Sequence, residues 1–391
     1  MDDGEDDGGV DIRIEACPSL EMIDPGAWDA IANPPDVEFD PFVSWGFLEA
    51  AESAGCATAE TGWSPMHILA RNEQGALIGA MPLYFKTHSY GEYVFDHSWA
   101  DALHRAGGAY YPKLQCAAPF TPVTGRRLLA AEGPVRNALV VGAVELMRRA
   151  HASSVHVTFP NKSEADELAR AGFLRRTGVQ FHWRNQGYRD FQDFLDTLSS
   201  QKRKNLRKER AHAQSECEIE TLIGDQISER DWDFFFTCYM DTGGRKWGSP
   251  YLNRAFFSLL GERLRERVVL FIARRNGRPI ASALNLLGGD AIFGRYWGRT
   301  EDVSFLHFEL CYYQAIEFAI ARGLGRVEAG AQGEHKLARG YAPVPTYSAH
   351  WIAHRGLREA IASYLEREEP AIAEEIEILS EHTPFKHIGT E

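Results

Sequence analysis

The sequence predicts an α/β fold made of two tandem copies of one unit that share a cleft, and three observations carry the prediction. The chain has 391 residues, more than a single hydrophobic core of roughly 250–300 residues accommodates. An apolar hairpin pattern occurs twice, as MHILARNEQGALIGAMPL at 66–83 and VVLFIARRNGRPIASALNL at 268–286. Each is an apolar run broken by Ala-Arg and a short Asn/Gly turn, the mark of a β-hairpin. The elements around the two hairpins also recur in one order, which chance similarity of short hairpins does not explain.

Ahead of each hairpin stands an aromatic helix candidate opened by proline, PFVSWGFLEAAESAG from Pro41 and PYLNRAFFSLLGERL from Pro250. Proline in a first helical turn sacrifices no backbone bond. Behind each hairpin comes a helix and then a strand. Leu139, Ala143, Leu146, Met147 and Ala150 share one face before SSVHVTF at 153–159; Phe308, Tyr312, Ala315, Ile316, Ala319 and Ile320 do so before GRVEAGA at 325–331. The expected organisation is an acidic, solvated tail at 1–9, a first unit at 10–190 with an insertion at 87–133, a basic linker helix at 191–215, and a second unit at 216–391 ending in amphipathic helices. Pro370 is expected to interrupt the last of these.

Composition narrows the function. Apolar residues make up 44% and charged residues 25%, and the net charge is −13, which argues against a general nucleic-acid binder. One local basic patch stands out, Lys202, Arg203, Lys204, Arg207, Lys208 and Arg210. The six cysteines are scattered singly, without the spacing of a zinc or redox motif, and are expected to be reduced. No apolar run approaches the roughly 20 residues of a membrane span, and the N-terminus does not read as a signal peptide, so a cytoplasmic protein is expected.

Three segments carry a resemblance: LSSQKRKNLRKERA in the linker, YYPKLQCAAPFTPVTGRRLL at 110–129, and EAGAQGEHKLARGY at 328–341. From about Phe39 to Tyr364 the chain resembles the tRNA-dependent Fem-type aminoacyl transferases, and more closely the FemAB-like "peptidoglycan biosynthesis/recognition" relatives of proteobacteria. The resemblance implies two tandem GNAT-like units, with mixed, mostly antiparallel sheets flanked by helices. It also implies transfer of an aminoacyl group from aminoacyl-tRNA to an amine of a peptidoglycan precursor or small molecule. A Fem coiled-coil arm is not apparent. No resident cofactor is expected. The alternatives are an acyl-CoA-dependent N-acyltransferase and a non-catalytic binding protein for a cell-wall precursor.

GNAT enzymes hold the CoA pyrophosphate on a Q/R-x-x-G-x-G/A loop at a helix N-terminus. Neither PVTGRRLLAAEGPVRNA nor RYWGRTEDVSFLHFEL contains it, which argues against CoA. Aminolysis of an ester needs a fixed cation or donor near the carbonyl. The resemblance assigns that role to Lys336 only, although lysine is ordinarily a solvated surface residue. Glu334 and His335, clustered with it on one loop, are further catalytic candidates, and Gln332 and Arg339 are candidates for the substrate.

Arg203, Arg207 and Arg210 share a helical face that suits phosphates. By composition alone this is a solvated linker helix, whereas the resemblance implies that Lys202, Arg203 and Arg207 face a phosphorylated substrate. In the insertion, Asp96, His97, Asp101 and His104 fit no standard zinc or calcium spacing, and Asp96 and His97 read instead as a polar cleft wall. Tyr110, Tyr111, Lys113, Thr121, Thr124 and Arg126 are candidates for binding the acceptor. Arg295, Tyr296 and Trp297 follow the second hairpin and are candidates for the donor, with core packing the alternative for the two aromatics. Glu309 is either a first-turn acid favoured by the helix dipole or a site for a substrate ammonium.

Overall fold

The structure, a computed structural model, describes residues 11–131, 133–246, 250–330 and 333–386. The acidic tail lies outside them. The strands are β1 (Arg13–Cys17), β2 (Trp63–Pro65), β3 (His67–Arg71), β4 (Leu77–Met81), β5 (Leu83–Lys86), β6 (Lys113–Cys116), β7 (Ser154–Thr158), β8 (Leu174–Arg184), β9 (Glu218–Ile223), β10 (Val268–Arg275), β11 (Arg278–Leu287), β12 (Ala291–Arg299), β13 (Arg326–Glu328) and β14 (Ala342–Ile352).

Both predicted hairpins form, as β3–β4 and β10–β11. The second turns on Asn276 and Gly277, whose φ values of 53° and 74° are those a tight two-residue hairpin turn demands. The first differs because Pro82, with no N–H to donate, divides what is one long strand in the second copy. β4 therefore stays in a small sheet ordered β1-β3-β4, and β5 enters the main one.

That main sheet has eleven strands in the order β2-β5-β6-β7-β14-β8-β13-β12-β11-β10-β9. The duplication is visible in it. Each half has a parallel pair, β6 with β7 and β12 with β13, among otherwise antiparallel neighbours. At the centre the halves exchange their last strands: β8 of the first pairs with β13 of the second, β14 of the second pairs with β7 of the first, and β8 and β14 pair with each other.

The two aromatic helices span Trp45–Ser53 and Arg254–Arg263, later than Pro41 and Pro250. Side-chain caps set these starts, Ser44 accepting from the Phe47 N–H and Asn253 from the Phe256 N–H. The helices pack on one another, with Phe47 and Phe256 rings 5.8 Å apart, so one core runs through both halves. The C-terminal helix is continuous over Arg355–Glu381 with Pro370 inside it, against the expected interruption. Ion pairs from Arg176 to Glu368 and from Arg175 to Glu369 fasten the turn just before the proline to β8 and offset the lost backbone bond.

Candidate active site

A cavity of about 660 Å³ lies over the exchanged strands. Its floor is Thr177–Gln180 of β8 and Thr346–Ser348 of β14; its walls come from the segment around Ser89, Tyr93 and His97, from Arg295 and Gly330 of the second half, and from Glu368 of the C-terminal helix. The first-half insertion, the second half and the C-terminal helix meet here. Arg176 ties two walls together, donating to both Glu368 oxygens at 2.7 and 2.8 Å and to the Phe95 carbonyl at 2.9 Å.

Behind the first-half wall runs a buried polar network. Lys113 donates to Ser89 at 2.8 Å, Glu92 at 2.7 Å and Asp96 at 2.5 Å. Tyr110 donates to Asp96 at 2.7 Å and lies 3.2 Å from His156, whose other ring nitrogen meets His350 at 2.7 Å, and His350 meets Ser348 at 2.8 Å. Ser89 and Ser348, the two ends, both line the cavity. Burial alone would strip Lys113 of its proton, but the Glu92 and Asp96 carboxylates outweigh it and hold the amine above its ordinary value. Asp96, also opposed by burial, is held low mainly by Lys113. Burial pushes His350 down to about 3, so the histidine pair is neutral at physiological pH. Lys86, desolvated over the Trp63 ring, falls to about 6.

The second half contributes a smaller slot of about 90 Å³. β12 pairs with β13 only through Ala291, Ile292 and Phe293, then runs on to Arg299 paired with β11 alone, and β12 and β13 part. A bulge sits at the parting, because Leu284 opposes Tyr296 and Asn285 opposes Gly294, leaving Arg295 without a ladder partner and re-aimed. Asn285, Trp297, His307, Cys311, Tyr312 and Ala329 line the slot. A π-helical turn over Glu309–Tyr313 brings the last helical residues of that set to it. Arg295 lines both the slot and the large cavity.

Lys336 is fully buried, its Nζ donating to the Gly330 carbonyl at 2.6 Å on the cavity edge, and burial lowers its amine to about 8. His335 is exposed and bonds the Tyr312 hydroxyl at 2.7 Å. The Glu334 side chain and Gln332 lie outside the described residues. Arg339 stacks 3.4 Å above the Phe308 ring and pairs with Glu209.

Several expected ligand contacts are internal bonds instead. Asp96, Tyr110 and Lys113 belong to the buried network, because two carboxylates fold back onto the lysine. Tyr111 bonds Ser89. Thr121 is buried and Thr124 partly so, and neither lines the cavity, while Arg126 caps the Ile31 and Ala32 carbonyls. Glu309 is not a site for a substrate ammonium: fully buried, it is saturated by Arg210, Gln214 and Gln314. Arg210 thereby leaves the predicted phosphate face; on the same helix, Ser200–Glu216, Lys202 and Arg207 stay exposed and Arg203 pairs with Asp196. Of the nominated residues, His97 and Arg295 reach the large cavity, and Arg295, Tyr296 and Trp297 reach the slot. Ser89, Arg176, Gln180, Ser348 and Asn285 were missed.

Two units joined by exchanged strands, with a slot where one parallel pair parts, define a tandem GNAT-like α/β fold. The chain matches the FemAB-like family, described as peptidoglycan biosynthesis/recognition, over residues 19–387 and belongs to it. No curated protein matches it. Among solved structures it is similar to FemX, with TM-score 0.56 and 12% identity over 87% of this chain and 98% of that one. It is also similar to L-PGS from Bacillus licheniformis, with TM-score 0.51 and 10% identity over 84% and 98%. The family description points to a role in peptidoglycan biosynthesis or recognition. Among the described residues no helix is long and apolar enough to cross a membrane.

Proposed function

We propose that the protein moves an aminoacyl group from aminoacyl-tRNA onto the amine of a peptidoglycan precursor or related small acceptor. The observation that carries this reading is the position of Arg295, which lines both the roomy cavity and the small slot. An acceptor in the cavity and the aminoacyl end of a donor in the slot would meet beside its guanidinium. The acceptor nitrogen attacks the ester carbonyl, a C–N bond replaces the C–O bond, and the amine proton leaves with the ribose oxygen. Arg295 and Lys336 are the cations that stabilise charge on the carbonyl oxygen, and Lys336, lowered to about 8, also has a proton to lend the leaving group.

The slot is small for a pantetheine arm, which favours an aminoacyl ester over acyl-CoA. Purified protein incubated with a panel of charged tRNAs and candidate amines should release free tRNA only when both are present. No acceptor-dependent deacylation across the panel would end the donor assignment, and a clear thermal stabilisation by acyl-CoA would redirect it.

A further inference from the structure

We propose that the slot recognises the free α-amino group of the donor, with an amino N–H donating to Oδ1 of Asn285. The inference rests on the transferase reading above. Asn285 sits on β11 and is 1% exposed. Its Nδ2 donates to the Ala283 carbonyl at 3.4 Å, which turns the amide so that Oδ1 is the atom left over, and that oxygen has no hydrogen-bond partner among the described residues. Asn285 lines the slot beside Gly294, its partner across the β11–β12 ladder, where an added Cβ would stand 3.4 Å from Oδ1.

A buried acceptor is ordinarily paired, because its desolvation is uncompensated otherwise. Here the partner has to arrive with a ligand. The slot's volume of about 90 Å³ is the space of about three waters, room for an amino group and a short side chain. Among the described residues no carboxylate lines the slot, while Arg295 lines it and Lys336 lies close by, so the neutral amine fits better than the ammonium. A donor with an acetyl or other amino-free group would fill the same space and leave Oδ1 unpaired. A site built around a hydrogen bond rejects an analogue that lacks it far more strongly than an apolar pocket rejects a missing methylene.

Alaninamide and propionamide differ chiefly in the amino group, and ligand-observed NMR at mildly alkaline pH measures each against the intact protein. Wild type should bind alaninamide about tenfold more tightly, the effect of one hydrogen bond to a buried acceptor. Asn285→Ala should erase the preference, and Asn285→Asp, which keeps an acceptor at the same place, should retain it. Equal binding of the two amides, binding of neither, or an unchanged preference in folded Asn285→Ala would each overturn the proposal. The probes need no turnover. A protein that transfers amino acids yet shows no preference loses this inference alone, and one that shows the preference but deacylates no charged tRNA loses the transferase reading instead.

Discussion

The parallel pair β6–β7 in the first half and the parallel pair β12–β13 in the second start alike, with three paired residues each, and then diverge in fate. In the first half the gap is stitched shut. Gly125 bridges Pro160, its N–H donating to Phe159 and its carbonyl accepting from Asn161. Gln115 and Arg127 both donate to Thr158, at 2.9 Å each. In the second half no such bridge is present among the described residues, and the slot with Asn285 lies in the gap. Duplication supplied two openings; one became structure, and the other kept the room that the proposed reading gives to the donor.

Two lysines put the contrast in its sharpest form, for Lys113 and Lys336 are both fully buried. Lys113 faces two carboxylates, whereas Lys336 bonds one carbonyl at the cavity edge. Lys336→Met should leave stability nearly unchanged and lower kcat by about 10²–10³-fold, the usual loss for one group at a developing oxyanion. Lys113→Met strands Glu92 and Asp96 in the interior and should cost about 3–5 kcal/mol in urea unfolding. Turnover and unfolding measured on both variants decide the matter; a Lys336→Met enzyme with normal kcat would remove that residue from the chemistry.

The next effect concerns the helix that closes the second half from outside. Arg210 and Glu309 form a pair across it, with Glu309 fully buried. Arg210→Ala leaves the carboxylate only the amides of Gln214 and Gln314 and should destabilise the protein by about 2 kcal/mol, since hydrogen bonds to a buried charge carry that magnitude. A loss below about 0.5 kcal/mol, within the range of ordinary surface changes, would show that the amides suffice.

Acidity separates the halves as well. Burial lowers Lys336 to about 8, and the model of its action requires the ammonium. Below that value the cation is present, and as pH rises through it kcat should fall, about tenfold per unit once the amine is mostly neutral. Stability runs the opposite way, because between about 8 and the ordinary lysine value the unfolded chain binds the extra proton, so ΔG of unfolding rises with pH there. A kcat flat to pH 10 with acceptor saturating would contradict the role.

Much of this was legible in the sequence, and the parts that were not share a cause. The hairpins and helices follow from local periodicity, which is why both copies could be read without a structure. The strand exchange follows from nothing local: TGVQFHWR and PVPTYSAHWI read as strands whichever neighbour they join. Asp96 reads as a polar cleft wall and Tyr110 and Lys113 as acceptor contacts, but Glu92 and Asp96 fold back from the insertion and turn the lysine and the tyrosine inward. Asn285 did leave a signal. It is a lone amide in the apolar run ASALNLL, and such a residue, once buried, needs a partner. His156 in SVHVT and His350 in YSAHW carry the same signature, and they found each other.

The smallest effect tests the basic helix, where the face predicted for phosphate and the face that is free differ. Arg210 turns inward and Arg203 leans on Asp196, while Lys204 and Lys208, four residues apart, share an exposed face. If a donor tRNA runs along this face, each of Lys204→Ala and Lys208→Ala removes one phosphate contact. Affinity at moderate salt should fall only a few-fold, and the slope of log affinity against log salt should become shallower by somewhat under one for each. Arg210→Ala, although it damages the fold more, should leave that slope where it was, because its charge is spent on Glu309 and not on solvent. Filter binding across a salt series reads all three. Slopes that respond to Arg210 and ignore the two lysines would move the tRNA to another surface, and the second half would then receive its donor from a direction that this helix does not guide.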